Sequence, residues 1–406
     1  MFQLLKQQRP EVRRNFYFDL TAGLFCGVIS GGINAFILVQ ARRLGATDFQ
    51  VSFLAAVQFI WMLLSPLWAK LFSAKNPFRT VFIFDGLGRA CLLLLLFNAS
   101  PGWYIFLFSA YYLAGSISGT SYCQAMRLGY PSHIRGTLMS WVRVGISLVS
   151  IAAAGLAGFL LPMLGVQRFF ALVALIGIIS AVSFGQLKPL TTESCEPPAE
   201  AAPELKPLQV WREDRHYRHY MLAYFIFGFA NLMSLPVYTL FQVDILKVSD
   251  GFVALLALVT SLASLVFYFV GGRFIDQSTP LNLTVYLLAL CPLIPLIYFL
   301  SNAPGPLLLV GVIQGLINAG IDLAALNNVI YFAGAREVSP YMAIHMNLQG
   351  LRGTVGPLLA PLVVDCLGYR GFFLFIAILF AAAWWQGMVV LKKDAKLHCA
   401  TKQIVS

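Results

Sequence analysis

The chain has 406 residues, of which 59% are hydrophobic and only 11% are charged, and its formal net charge is +11. Soluble domains carry roughly 25% charged residues, so this composition excludes an ordinary soluble domain and predicts a polytopic membrane protein. The basic residues fall between apolar runs rather than on one surface, which argues against nucleic acid as a partner. The seven cysteines include no Cys-x-x-Cys pair, so neither a disulfide framework nor a metal site is expected.

Apolar runs long enough to cross a bilayer recur along the whole chain. The first half predicts six helices, at about residues 17–40, 49–69, 79–97, 103–126, 137–162 and 166–187. The second half predicts six more, at about residues 220–243, 251–272, 281–300, 305–331, 340–364 and 369–391. Between them lies a stretch rich in proline and glutamate, whose first half has no apolar face. The predicted domains are therefore a six-helix bundle at 1–187, a central cytoplasmic loop at 188–219 and a second six-helix bundle at 220–406.

The distribution of Lys and Arg predicts the orientation in the membrane. With the N-terminus inside, 20 of the 28 basic residues fall on the cytoplasmic side, 5 fall in the outer connections and 3 lie within predicted helices. Cytoplasmic segments carry such an excess of positive residues. We therefore expect a multi-pass protein of a bacterial cytoplasmic (inner) membrane, with both termini and the central loop in the cytoplasm.

The two halves resemble each other in sequence. The pattern Gln-x3-Leu-x3-Asp-x2-Val occurs at residues 40–51 and again at 242–253, an offset of 202. A Leu-Gly pair followed by Phe-Phe occurs at residues 164–170 and again at 367–373, an offset of 203. Because each half has six predicted helices, both halves enter the membrane from the same side. The repeats are therefore parallel, with an axis along the membrane normal.

A glycine–aspartate motif follows the eighth predicted helix, where Gly272 and Asp276 have the spacing Gly-x3-Asp. The corresponding first-half segment lacks this pair but keeps the basic residues Lys75 and Arg79. With these motifs, twelve predicted helices and a six-plus-six repeat, the chain resembles the major facilitator superfamily, though no motif identifies a subfamily. The resemblance implies an all-α fold of two parallel six-helix repeats. It also implies that Gly272, Asp276, Lys75 and Arg79 belong to gating segments.

The resemblance further implies that the first, fourth, seventh and tenth helices line a central cavity. Six polar residues predicted on these helices are candidates for contact with a substrate: Asn34, Gln124, Asn231, Gln314, Asn318 and Asp322. Tyr238 is a candidate aromatic residue in the wall of the cavity. Gln314, Asn318 and Asp322 follow at four-residue spacing, so they form one polar stripe. Hydrogen bonding between helices is the alternative role for each of the amides.

Ionisable residues within predicted membrane helices are costly and mark candidate functional sites. Asp322 and Arg352 lie at comparable depth on the tenth and eleventh helices, and the sequence predicts that they form an ion pair. Asp322 then either accepts a proton or contacts the substrate, or the pair only locks the two helices together. Asp85 and Arg89 are four residues apart on the third helix, and with Arg143 they are expected to form a latch near the cytoplasmic ends of the helices.

No catalytic, phosphate-binding or metal-binding motif occurs in the sequence, so an enzyme and a cofactor are not expected. The sequence predicts a secondary active transporter, a monomer, that moves a small solute by alternating access. The energy would come from a gradient, with H+ or Na+ as the candidate ions. Two alternatives stay open: a pump that exports drug-like molecules, and a transport-inactive membrane receptor or assembly factor.

Overall fold

The structure is a computed structural model, and it describes residues 8–72, 76–190, 207–277, 279–333 and 338–405. Every regular element in these ranges is helical. The α-helices in chain order are α1 (Pro10–Asn34), α2 (Ile37–Arg43), α3 (Asp48–Leu63), α4 (Ser65–Phe72), α5 (Pro77–Leu93), α6 (Pro101–Gly129), α7 (Ser132–Gly185), α8 (Pro207–Glu213), α9 (Arg215–Leu240), α10 (Asp250–Gln277), α11 (Pro280–Leu290), α12 (Leu293–Leu300), α13 (Leu307–Ala333) and α14 (Val338–Val405). The predicted all-α class is confirmed.

Seven helices in the described ranges are long and apolar enough to cross a membrane, or eight if the bent pair α3 and α4 forms one span. Two of the seven are far longer than one span, at 52 residues for Ile134–Gly185 and 55 residues for Pro340–Asp394. Each of these long segments contains two of the helices expected from the sequence. The described helices are therefore consistent with twelve spans.

The two long helices break at equivalent positions of the internal repeat. Gly165 interrupts α7 with φ 75° and ψ 163°, and Gly368 interrupts α14 with φ 67° and ψ 169°. Residues with a side chain are almost absent from this region of backbone conformation. The matched Leu-Gly pairs of the sequence therefore have a structural reason, because each glycine permits the turn between two consecutive helices of its half.

Helix starts show where the sequence boundaries need correction. α1 begins at Pro10 rather than at about 17, with proline in the first turn and the acidic Glu11 beside it, both of which favour a helix start. α9 begins at Arg215 rather than at about 220, because the Asp214 side chain accepts a hydrogen bond from the backbone N–H of Tyr217 at 2.8 Å and caps the helix. Part of the predicted central loop is thus helical.

The chain divides into two compact units, one of residues 1–201 with 249–257 and the other of residues 202–248 with 258–406. In the first unit, α1 packs along α7. A side-chain carbon at Gly31 would lie 2.1 Å from the Ser150 carbonyl oxygen, so only glycine allows the two backbones to come this close. In the second unit, α9 packs along α14 in the same way. Each unit therefore has its first long helix packed against a long, broken helix.

Candidate functional site

The polar stripe expected from the sequence lies on α13 in the second unit. Gln314 donates a side-chain hydrogen bond to Asn318 at 2.9 Å, one turn further along the helix. Asp322 follows after another turn and accepts a hydrogen bond from the hydroxyl of Tyr268, on α10, at 2.9 Å. Asn318, Asp322 and Tyr268 are exposed, and Gln314 is half-buried. We call Gln314, Asn318 and Asp322 the α13 polar face: it presents amide and carboxylate groups on one membrane-spanning helix, and the phenol of Tyr268 on α10 contacts its carboxylate.

Arg352 lies on α14 and is buried, with 6% of its surface exposed. Its Nη1 donates to the carbonyl oxygen of Tyr224, on α9, and its guanidinium lies 4.5 Å from the centroid of the Tyr224 ring. The absence of a side chain at Gly228 leaves the space that the guanidinium occupies, since a carbon there would be 2.0 Å from its central carbon. A carbonyl dipole and the face of an aromatic ring are therefore what stabilise this charge.

The ion pair predicted between Asp322 and Arg352 is not formed in the structure. Among the described residues, no carboxylate lies within 4 Å of the Arg352 guanidinium. Asp322 instead accepts the hydrogen bond from the Tyr268 hydroxyl. Equal depth on two neighbouring helices is not enough to bring two side chains together, because each must also point towards the other helix. Asp322 faces the α10 side of α13, whereas Arg352 points towards α9.

The other candidate substrate contacts lie on other helices. Asn34 at the end of α1 and Gln124 on α6 are exposed, and Asn231 on α9 is half-buried. Tyr238 stacks on Tyr298 with ring centroids 4.1 Å apart and the planes tilted by 8°. Its ring belongs to an aromatic cluster inside the second unit, which explains it as a packing residue.

Asp85 and Arg89 form the expected pair on α5, with 2.8 Å between Oδ2 and Nη2. Arg89 is buried, and its Nη1 also donates to the carbonyl oxygen of Gly177 on α7 at 2.8 Å. The pair therefore ties α5 to the second segment of α7. Arg143 does not join it, because it is exposed and forms no ion pair among the described residues.

The remaining gating candidates fall largely outside what the structure describes. Lys75 lies outside the described residues, and Gly272 and Asp276 lie in α10 where the side chains are not described. Arg79 is exposed in the first turn of α5, where its backbone N–H donates to the capping side chain of Asn76. The gating roles of these residues stay predictions.

Two polar residues of α1 that the sequence reasoning missed are almost completely buried. Asn15 donates from its side-chain nitrogen to the carbonyl oxygens of Gly129 at 3.1 Å and Lys188 at 2.8 Å, and its oxygen accepts from the Lys188 N–H at 3.2 Å. One turn later, Asp19 accepts from the Tyr130 hydroxyl at 2.9 Å. The start signal at Pro10 could have revealed both, because it places Asp19 well inside the helix rather than at its end.

A second missed group joins the ends of three helices in the second unit. Asp394 of α14 accepts from the hydroxyl of Tyr331, on α13, at 2.7 Å and lies 3.1 Å from Nε2 of His216, on α9. Asp214, next to the start of α9, accepts from the Tyr341 hydroxyl at 2.9 Å. These contacts hold α9, α13 and α14 together at one end of the unit.

Comparisons with known proteins agree with this architecture. The family model described as the Major Facilitator Superfamily matches residues 20–293 and 220–401. No curated protein matches the chain. A mutant form of the nucleoside transporter NupG is similar in structure, with a TM-score of 0.72 and 11% identity over 93% of this chain and 99% of that one. NupG itself gives a TM-score of 0.68 and 14% identity, over 95% of this chain and 100% of that one.

A bacterial homologue of the human lysosomal transporter Spinster, solved in an inward-facing and unoccupied conformation, gives a TM-score of 0.71 and 12% identity, over 96% of this chain and 98% of that one. At these identities the structural likeness concerns the fold alone. The family model covers most of the chain, and the described helices agree with it. The chain is a multi-pass membrane protein that belongs to the major facilitator superfamily.

Proposed function

We propose that this protein is a secondary active transporter that moves a small polar solute across the membrane by alternating access of a rocker-switch kind, with the α13 polar face as part of the solute site. The observation that carries the proposal is the exposed carboxylate of Asp322 on a membrane-spanning helix, with a neutral phenol as its described partner. A carboxylate on a membrane-spanning helix is unfavourable in contact with lipid and is expected to face water or a ligand.

The chemistry of the α13 polar face favours a solute that carries several hydrogen-bond donors. Asp322 is an acceptor when ionised, and the amides of Gln314 and Asn318 both donate and accept. Hydroxyl and amino groups on a small ring compound fit this set. Nucleosides carry several hydroxyl groups together with an amino or imide N–H group on the base, and one of the similar structures is named as a nucleoside transporter. Nucleosides are therefore the first compounds to test, followed by sugars and amino acids.

The test is a ligand-stabilisation screen on the purified protein with uridine, adenosine, glucose and a set of amino acids. A compound that raises the unfolding temperature of the wild type should raise it less in Asp322→Asn, since a charge-assisted hydrogen bond contributes about 1.5–3 kcal/mol and its loss weakens binding by roughly tenfold or more. Asp365→Asn is the matched control, because Asp365 is an exposed acid near the break in α14 and far along the chain from the polar face. Equal stabilisation of both variants would refute the assignment of the site.

Transport is tested separately from binding, with the compound found in the screen and proteoliposomes. Movement of the compound into the liposomes supports a transporter, and its direction distinguishes uptake from export. Binding of the compound with no transport in either direction would favour the receptor or assembly-factor alternative. Stabilisation by large apolar cations in place of polar solutes would favour the drug-export alternative.

We also propose that both termini lie in the cytoplasm of a bacterium, which rests on the distribution of the basic residues. Labelling of Cys195 and Cys399 by a membrane-impermeant thiol reagent should require disrupted cells. Labelling in intact cells would reverse the orientation.

A further inference from the structure

We propose that Asp19 of α1 is a proton-binding site, whose carboxyl group holds a proton while it is packed against Tyr130 and releases it when water reaches it. Its place in coupling rests on the proposed transport function, but proton binding itself can be tested without a solute. The site differs from the α13 polar face, since it lies in the other compact unit and is buried.

Burial is the first observation that carries the inference. Asp19 is 2% exposed, and its partner Tyr130 is 1% exposed. A cluster of buried apolar side chains packs around this part of α1, among them Phe16, Ala22 and Phe184. An isolated ionised carboxylate is strongly disfavoured in such surroundings, and the group takes up a proton instead.

The hydrogen bonding of Asp19 is the second observation. The Tyr130 hydroxyl donates to Oδ2 at 2.9 Å, so the described partner is neutral. Among the described residues, no basic side chain lies within 4 Å of the carboxyl group. The pair Asp85–Arg89 shows the contrast, because there a buried guanidinium has an acidic counter-ion 2.8 Å away. The carboxyl group of Asp19 has no such compensation for a negative charge.

The neighbouring Asn15 shows why an anchoring role alone does not explain an acid here. Asn15 lies one turn earlier and fastens α1 to Gly129 and Lys188 through three hydrogen bonds, using a neutral amide. An amide at residue 19 could accept the bond from Tyr130 equally well. What an acid adds at this position is the capacity to gain and lose a proton.

Several charged or titratable groups lie on the elements packed around this part of α1. They are Tyr122 on α6, Tyr130 next to its end, Arg135 and Arg143 on α7, and Lys188 beyond α7. Arg135 donates hydrogen bonds to the carbonyl oxygens of Arg127 and Tyr130, both at 3.2 Å. Arg143 and Lys188 are exposed. None of them neutralises Asp19 in this arrangement.

The proton step is simple. In the packed arrangement the carboxyl group is neutral and accepts the bond from Tyr130. When the site opens to water, the proton passes to water and the remaining carboxylate keeps the Tyr130 hydroxyl as a donor, in a stronger, charge-assisted hydrogen bond. Tyr130 therefore supports both forms of the acid.

The test is infrared difference spectroscopy of the purified full-length protein between alkaline buffer and a mildly acidic buffer in which exposed carboxyl groups are still ionised. We expect a C=O stretching band of a protonated carboxylic acid in the wild type and in Asp365→Asn, and its loss in Asp19→Asn. In Tyr130→Phe the band should shift to higher frequency, because the acid loses its hydrogen bond. A band that persists unchanged in Asp19→Asn overturns the proposal. If Asp19→Asn does not fold, an unshifted band in Tyr130→Phe overturns it equally.

Transport assays then test coupling. In proteoliposomes, Asp19→Asn should lose accumulation driven by a proton gradient and keep exchange of solute at equal concentrations on both sides. Retained proton-driven accumulation in this variant would overturn the coupling role. Failure of the wild type to transport any solute would instead refute the proposed function, while the infrared band would still decide whether Asp19 binds a proton.

Discussion

The close contact between α1 and α7 makes Gly31 the position where a single methyl group should have a large effect. A side-chain carbon at Gly31 would lie 2.1 Å from the Ser150 carbonyl oxygen and 2.9 Å from the Ala154 backbone nitrogen. Ordinary van der Waals contact starts at 3.4 Å, so one helix must move away from the other by more than about 1 Å. A backbone carbonyl inside a helix cannot rotate aside as a side chain can.

We therefore expect Gly31→Ala to destabilise the first unit by about 3 kcal/mol, at the upper end of the usual overpacking range. For a unit of about 200 residues this lowers the unfolding temperature by roughly 6–12 °C. The assay is the fraction of purified protein that stays monodisperse after heating. Gly115→Ala on α6 is the matched control, since no heavy atom lies within 4 Å of the added carbon. It should stabilise its helix by about 0.5–1 kcal/mol. Equal effects of the two substitutions would refute the close packing of α1 on α7.

Two further predictions concern the breaks in the long helices and the buried ion pair. Gly165→Ala and Gly368→Ala should each lower the free energy of unfolding by about 1–3 kcal/mol, because the backbone conformation at both positions is strained for any residue with a side chain. A thermal-unfolding series with Gly115→Ala as reference checks this, and a loss at only one of the two positions would contradict the equivalence of the two breaks. Arg89→Gln should lower the free energy of unfolding by roughly 2–4 kcal/mol because it leaves Asp85 without its counter-ion. In a double-mutant cycle, adding Asp85→Asn should recover part of this loss. Strict additivity of the two substitutions would show that the pair contributes nothing to stability.

The fold could be predicted from the sequence because it depends on features that persist over long stretches. The sequence itself shows apolar runs long enough to span a membrane, a polar stretch between the two halves, and two sequence patterns that recur at nearly the same offset. None of these features requires knowledge of a contact between residues. The Leu-Gly pairs are the clearest case, since both glycines take the same unusual conformation in the structure. The superfamily architecture expected from these features is confirmed.

The arrangement of the charged side chains could be predicted only where it is local. Asp85 and Arg89 are four residues apart on one helix, so helical geometry alone brings them together. The pairing of Asp322 with Arg352 is wrong because it depends on the rotation of two separate helices about their axes. In place of a carboxylate, Arg352 has the Tyr224 carbonyl and the space left by Gly228, neither of which has a signature in the sequence.

Asp19 was missed for a different physical reason, which concerns the start of a helix. Counting apolar residues places the first helix at about 17, which makes Asp19 look like a residue at the membrane surface. The structure begins the helix at Pro10, so that Asp19 lies about 2.5 turns inside it. Helix-start residues such as proline therefore deserve more weight than hydrophobicity in locating buried acids.

The central claim is that the α13 polar face contacts a transported solute, and the most direct measurement is uptake of radiolabelled uridine, or of the strongest stabiliser from the screen, into proteoliposomes. The account predicts that wild type and Asp365→Asn both take up the compound above protein-free liposomes. It predicts that uptake by Asp322→Asn falls by roughly tenfold or more, in line with the loss of a charge-assisted hydrogen bond. Uptake by Asp322→Asn equal to that of the wild type would contradict the claim.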